Sequence, residues 1–403
     1  MASSNVLELV IEVITIEHGL LDELLLIFFS ASIISAACLY FRQAIIVAYI
    51  LAGFVLGPVG LGVITDASWI EDVGSVGIVY LLFLMGLNLK PQKAISLFGE
   101  ALSVTLASVV IFIGFVSILV HFFDFNFVDS LIVGIATSFS STIVGLKLLP
   151  TTTLHHKRRG EVIIAVLLLQ DFLAIGFLLI FSSLTIGSHL LTKIGVIVLI
   201  LPVAVFFVFS SRRYIVDPLI TKFDQVHEFI FLLAIGWCSF CALIFESINL
   251  SYEIGGFVAG VALASSPASE FFAEKLKPVR DFFLVLFFFA LVASLSRVHF
   301  EITLPHALVL AFLIVVIKPF VFSWLFSKQG ESRRQAKEVG IRLGQAGEFG
   351  ILLGLTALDS QIITSEANSL IQLTVVLSII FSSLFISKNF PTPGSARTEL
   401  RKD

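Results

Sequence analysis

The segment Thr137-Ser138-Phe139-Ser140-Ser141-Thr142 places five hydroxyl side chains inside an apolar stretch over 128–149. A second interruption, Gly344-Gln345-Ala346-Gly347-Glu348-Phe349-Gly350, falls inside the apolar stretch 338–357. Both hold residues that loosen a helix or bond the backbone groups it frees, as non-helical backbone at membrane depth requires. Each lies in the fifth apolar stretch of its half of the chain. Broken helices at matching positions of two halves point to a secondary transporter with its substrate site near mid-membrane.

The rest of the chain fits that reading. Of 403 residues, 58% are hydrophobic and 13% charged, against roughly 25% charged in soluble domains. Mean hydropathy is +1.05. So much apolar surface requires lipid as part of the solvent. Runs of about 17–25 apolar residues cross a bilayer as helices, and about thirteen are present: 20–41, 43–62, 72–89, 99–123, 128–149, 161–184, 190–210, 226–247, 251–265, 279–296, 305–326, 338–357 and 366–387. The expected fold is an all-α polytopic membrane protein over 20–388. Two inverted six-helix repeats, 20–184 and 226–388, flank a linker helix at 190–210, with an extracytoplasmic segment 1–19 and a cytoplasmic tail 389–403.

Loop charge supports this count. Basic residues follow alternate spans: Arg42; Lys90 and Lys93; Lys157, Arg158 and Arg159; Arg212, Arg213 and Lys222; Lys275, Lys277 and Arg280; Lys328, Arg333, Arg334 and Lys337; Lys388, Arg397, Arg401 and Lys402. The intervening loops are poor in them and several are acidic (Asp66, Asp124, Asp129, Glu253, Asp359, Glu366). The positive-inside rule then puts the N-terminus outside and the C-terminus in the cytoplasm. An acidic start (Glu8, Glu12, Glu17) lacks a signal-peptide n-region. With 25 Lys+Arg against 29 Asp+Glu, nothing favours a nucleic-acid partner.

Ionisable residues deep in a span mark function by default. Asp171, in Leu167-Leu168-Leu169-Gln170-Asp171-Phe172, follows the first broken helix directly. A carboxylate stripped of water holds a proton, and gives it up only where a cation takes the proton's place. One acid with two mutually exclusive partners is the minimal chemistry of cation/proton exchange. Asp171 is therefore the expected ligand of a monovalent metal ion. Gln170 adds a neutral amide, so that pair carries one titratable group and the cycle is expected to be electroneutral. Thr137, Ser140, Ser141 and Thr142 offer hydroxyl or freed carbonyl oxygens to a hard alkali ion; their bland reading is small-residue packing. Lys318, just before Pro319, has three roles open to it: pairing with Asp171, competing with the cation, or stabilising unwound backbone. Glu348 and Gln345 in the second interruption line an ion path or cap a half-helix. Pro319 should kink its helix.

Other groups read as structural. Cys38, Cys238 and Cys241 lie in apolar stretches, the last two as packing residues. His121, His189, His299, His306 and Arg297 stand at span ends. Gly53-Phe54-Val55-Leu56-Gly57-Pro58 allows close helix approach and lacks the Lys-Ser/Thr of a nucleotide loop.

Taken together, Leu51–Pro58, Leu82–Leu87, Ser140-Ser141-Thr142, Leu167–Asp171, Gly256–Gly260 and Leu343–Phe349 resemble the Kef-type potassium/proton antiporters of the monovalent cation:proton antiporter-2 superfamily, in the same order along nearly the whole chain. The resemblance implies a sodium/proton-antiporter-like fold of thirteen helices, a homodimer formed by outer helices, and Lys318 in a family position of the core domain. Its Gln-Asp pair resembles the potassium branch; electrogenic sodium relatives typically have Asp-Asp. Two features differ. Glu270–Pro278 is more basic than the acidic loop of glutathione-controlled relatives, and Asn88 stands where many carry an acid. Pro391-Thr392-Pro393-Gly394 reads as a linker, leaving a regulatory nucleotide-binding domain or subunit outside this chain, and glutathione or nucleotide control is not assigned to it.

The expected function is K+ efflux in exchange for H+ by alternating access, in the cell's inner (plasma) membrane, with K+ and H+ as transported ions, lipid as surroundings and no cofactor. A Na+/H+ antiporter of the same fold, or a ligand-gated K+ channel-like efflux protein, is the alternative. An enzyme is disfavoured: an intramembrane aspartyl protease needs two facing aspartates and a metalloprotease an HExxH, which this sequence lacks.

Overall fold

The computed structural model describes residues 19–41, 43, 45–64, 68–88, 91–142, 145, 158–183, 190–223, 225–248, 250, 252–266, 268–293, 295 and 297–389. Residues 1–18 and 390–403, Arg42, Asp66, Lys90, Lys157, His189 and the side chain of Asn88 lie outside the described set, as does most of 143–157.

Fifteen α-helices and no strands occur among the described residues. The first half gives α1 (Leu20–Tyr40), α2 (Ile45–Leu56), α3 (Ser68–Asn88), α4 (Pro91–His121), α5 (Phe127–Ser138) and α6 (Arg158–Ser183). The linker helix α7 (Leu190–Ser211) runs through a π turn, Arg212–Val216, into the short α8 (Asp217–Lys222). The second half gives α9 (His227–Ser247), α10 (Tyr252–Leu263), α11 (Ser269–Ala293), α12 (Arg297–Lys328), α13 (Arg333–Arg342), α14 (Glu348–Asp359) and α15 (Ser365–Asn389). Among the described residues each expected span holds one of these helices, except 338–357, which holds parts of two.

Differences lie at the ends. The span expected from 279 begins at Ser269, so Lys275, Lys277 and Arg280 sit on the first turns of α11. A helix satisfies its own backbone in water as in lipid, so polar residues do not stop it. The span expected over 43–62 instead ends its helix at Leu56, where Gly57-Pro58 turns the chain. Helix α12 stays helical through both Pro305 and Pro319.

The two halves interleave. Helix α3 packs on α10 and α11, α2 on α1 and α11, and α9 on α10. The other bundle joins α4 to α5, α6 and α12, α12 to α13 and α15, and α14 to α5, α6 and α15. One bundle thus takes the first three spans of each half and the other the last three, so neither half completes a core alone. The contacts in the first bundle are close. A Cβ on Gly86 would lie 2.5 Å from the Phe257 carbonyl oxygen, and one on Gly57 2.9 Å from Ala293 Cα.

At the start of α5, Asn126 caps the helix by accepting from Asp129 N at 2.8 Å. Asp129 is buried, and its carboxylate accepts from Thr364 N (3.1 Å), Thr364 Oγ1 (2.8 Å) and Asn126 Nδ2 (2.9 Å). Thr364 immediately precedes α15, so one carboxylate ties the starts of α5 and α15 together. Two helix N-termini converging on an anion is a favourable arrangement.

Candidate ion-binding site at the crossing of two broken helices

Helix α5 stops at Ser138, and the hydroxyls just before the break turn back on the helix. Thr137 Oγ1 donates to Val133 O (2.8 Å) and Ser138 Oγ to Ile135 O (2.7 Å), and Phe139 is extended at φ −76°, ψ 148°. In the second half, α13 ends at Arg342 and α14 restarts after an extended Gly347. The two unwound segments touch. A Cβ on Gly347 would sit 2.7 Å from the carbonyl of Ser140 and 2.9 Å from Ser141 N, and one on Gly350 would collide with Ala136 O. Glycine at 347 is a requirement of this approach.

Freed carbonyls at the crossing need donors, since no water is guaranteed there. Lys318, 0% exposed, supplies them from α12. Its Nζ donates to Phe139 O (2.9 Å), Gln345 O (3.1 Å) and Thr137 O (3.3 Å), and lies over the Phe112 ring. One ammonium therefore serves the carbonyl end of α5 and the second unwound segment together. Arg342, buried in the last turn of α13, occupies the corresponding end in the other half. Each half-helix C-terminus at the crossing thus carries a built-in cation, which complements the negative end of its dipole. Ser140 Oγ donates to Leu343 O (2.8 Å), and Gln345 Nε2 to Ser141 O (3.4 Å), locking the segments to each other.

Asp171 approaches from α6, an unbroken helix. It is 2% exposed and accepts from Thr142 Oγ1 at 3.1 and 3.3 Å. Its neighbour Gln170 accepts on Oε1 from Ser140 N at 2.9 Å. Consecutive helix residues thus read an unwound segment two residues apart. The Ser140 bond fixes the amide's orientation, and Gln170 Nε2 is buried with no hydrogen-bond partner among the described residues. Glu348, 3% exposed, opens the first turn of α14 directly after Gly347.

Every residue singled out from the sequence (Thr137, Ser140, Ser141, Thr142, Gln170, Asp171, Lys318, Gln345 and Glu348) is buried here. The hydroxyl of Thr137 is turned to its own helix, leaving its carbonyl for Lys318. Among the described residues no ion pair reaches Asp171. Two further residues come from α15 and were not singled out. Ser378 Oγ accepts from Ala346 N at 3.0 Å, and Ser382 Oγ donates to Gln345 Oε1 at 3.1 Å. Their signal was polarity at Ser378, Ser382 and Ser383 in an otherwise apolar span.

A sequence profile of the transmembrane sodium/hydrogen exchanger family matches residues 24–388. K(+) efflux antiporter 6 of Arabidopsis thaliana is 29% identical over 381 residues, covering 92% of this chain and 64% of that protein. The chain thus spans less than two thirds of that relative's length. Iron transporter MagA of Paramagnetospirillum magneticum is 25% identical over 346 residues, covering 86% of this chain and 80% of that one. In fold, the chain is similar to the sodium proton antiporter MjNhaP1 from Methanocaldococcus jannaschii, with a TM-score of 0.67, 16% identity, and coverage of 94% of this chain and 97% of that one. With its crossing broken helices and the Gln170-Asp171 pair at their side, this multi-pass membrane chain belongs to the sodium/hydrogen exchanger family, on its Kef-type, monovalent cation:proton antiporter-2 branch.

Proposed function

We propose that this protein exchanges K+ for H+ across the plasma membrane by alternating access, with Asp171 as the exchange carboxylate. What carries the reading is Asp171 itself: a buried acid bonded by a hydroxyl donor, with the nearby ammonium of Lys318 committed to backbone carbonyls. Such an acid is neutral with a proton or neutralised by a cation, and bare it is strongly disfavoured. Thr142 and Gln170 shape the site, and the segment 140–142 presents their oxygens. Lys318, Gln345 and Glu348 support it. K+ is favoured over Na+ by the Gln-Asp pair and by the named activity of the plant relatives. The family and the fold neighbour leave Na+ as the second reading. The N-terminus lies outside, the C-terminus inside, and two copies pair through outer helices such as α1, whose exposed Leu21, Leu25 and Phe29 otherwise face lipid. A nucleotide-binding regulatory domain or subunit acts, where present, from beyond this chain.

In proteoliposomes loaded with a pH dye, K+ drives proton movement faster than Na+ or Li+, with Rb+ close behind. A preference for Na+ favours the second reading, and single-channel currents would replace exchange with a channel. The exchange rate stays the same at zero and about −100 mV of clamped potential. One uncompensated charge moved across 100 mV is worth about 2.3 kcal/mol, so an electrogenic cycle would be strongly voltage-dependent.

A further inference from the structure

Phe172 stands one residue beyond Asp171 on α6, toward the Ser183 end of that helix. Its ring meets that of Phe257 edge to face, with centroids 5.3 Å apart and planes at 88°, an arrangement that aromatic pairs favour. The two rings belong to different bundles. Phe257 sits on α10, which glycines press against α3. A Cβ on Gly256 would lie 2.8 Å from the Val79 carbonyl oxygen, and one on Gly260 would collide with that of Phe83. A ring on a closely packed wall therefore touches a ring next to the exchange carboxylate.

Exposure changes sharply across this contact. Asp171 is 2% exposed, Phe172 39% and Ile180, about two turns farther on, 50%. Between the last two, a Cβ on Gly176 would meet no described atom within 4 Å. Phe172, Gly176 and Ile180 are spaced four apart and share one face of α6. That face is open, and the opening ends at the Phe172 ring. The linker helix α7 packs on both α6 and α10, so this is where the bundles adjoin. Elsewhere they meet across Leu81, Leu82 and Phe287 on one side and Phe349 and Leu352 on the other, which continues the barrier in hydrocarbon.

We propose that Phe172 and Phe257 form an aromatic seal over Asp171, closing the exchange site to one face of the membrane and parting once in each cycle. In the topology proposed above that face is the outer one. An apolar constriction excludes water and ions by dewetting, with no charge or hydrogen bond required. Because each ring stays with its own bundle, movement of one bundle against the other breaks the seal and remakes it. The inference rests on Asp171 as the exchange group and on alternating access.

Two measurements on the full chain in proteoliposomes test it. Gly176→Cys is modified by a charged, membrane-impermeant thiol reagent, because the open face holds water; the wild type, whose three described cysteines are buried, is the blank. A folded Gly176→Cys protein that stays unmodified has lipid on that face, and the proposal fails. Phe172→Ala lets protons cross without K+ on the order of tenfold faster than the wild type, the shift that loss of one edge-to-face pair produces in the closed state. Its K+ affinity by calorimetry stays within about threefold of wild type, since the cation's ligands are untouched. Phe172→Leu, which refills the gap with hydrocarbon, stays tight. Phe257→Ala opens the same leak from the other bundle and decides the matter if Phe172→Ala does not fold. The seal is overturned if the folded alanine variants are as proton-tight as the wild type, or if they lose K+ affinity without leaking. Exchange by Asp171→Asn would instead overturn the reading of the exchange site itself.

Discussion

Asp171→Asn abolishes cation-driven proton movement, down to the leak of protein-free liposomes, while leaving a folded protein. The substitution keeps size and shape, and Thr142 Oγ1 still finds an oxygen to donate to at the position it now reaches at 3.1 Å. No buried counter-charge is stranded, because among the described residues no ion pair reaches Asp171. Stability therefore changes by about 1 kcal/mol, the scale of one altered hydrogen bond. Function fails because an amide carries no proton to release at these pH values and no charge to offset a cation's lost hydration. Two measurements check this. Dye-reported exchange falls to background, and K+ no longer protects the protein against thermal unfolding. In the wild type, cation at 100 times its Kd stabilises by about 2.7 kcal/mol. Persistent exchange in a folded Asp171→Asn protein removes Asp171 from its role.

That so much of this arrangement was legible in the sequence follows from how lipid constrains a chain. Spans must be helical, so apolar runs translate almost directly into the helices other than the short α8 and the polar α13. A helix can break at membrane depth only where other groups take up its backbone, so hydroxyls at 137–142 and glycines at 344–350 marked the crossing. Depth alone singled out Asp171 and Lys318. Partners separated by long stretches of chain were not legible. Lys318 had three roles open to it, and only the fold shows its ammonium among the carbonyls of Thr137, Phe139 and Gln345. Ser378 and Ser382 read as small residues of the kind membrane helices pack with, yet they bond the second unwound segment. Asp129 read as loop charge, whereas it ties α5 to Thr364 across 235 residues. Helix ends such as that of α11 were misplaced because hydropathy reports where lipid stops, and a helix continues beyond it.

Lys318→Gln lowers stability by about 3–5 kcal/mol, the range for removing one partner from a buried charged arrangement. Three carbonyls depend on the ammonium, at 2.9, 3.1 and 3.3 Å. A glutamine amide has two hydrogens to donate, so at least one carbonyl at the crossing is orphaned, and the end of α5 loses the cation opposing its dipole. Thermal midpoints fall by about 4–6 °C. Because Lys318 bonds backbone oxygens and makes no ion pair with Asp171, the variant that remains folded binds K+ within about threefold of wild type, a difference of less than 1 kcal/mol. The opposite pattern, an unchanged melting midpoint with K+ binding at least about tenfold tighter, would make Lys318 a competitor of the transported ion. Measuring both quantities on one preparation separates the roles, since competition for Asp171 moves affinity and support of the crossing moves stability. The geometry assigns Lys318 to the second: a lysine tethered where two broken helices would otherwise expose their carbonyls to each other.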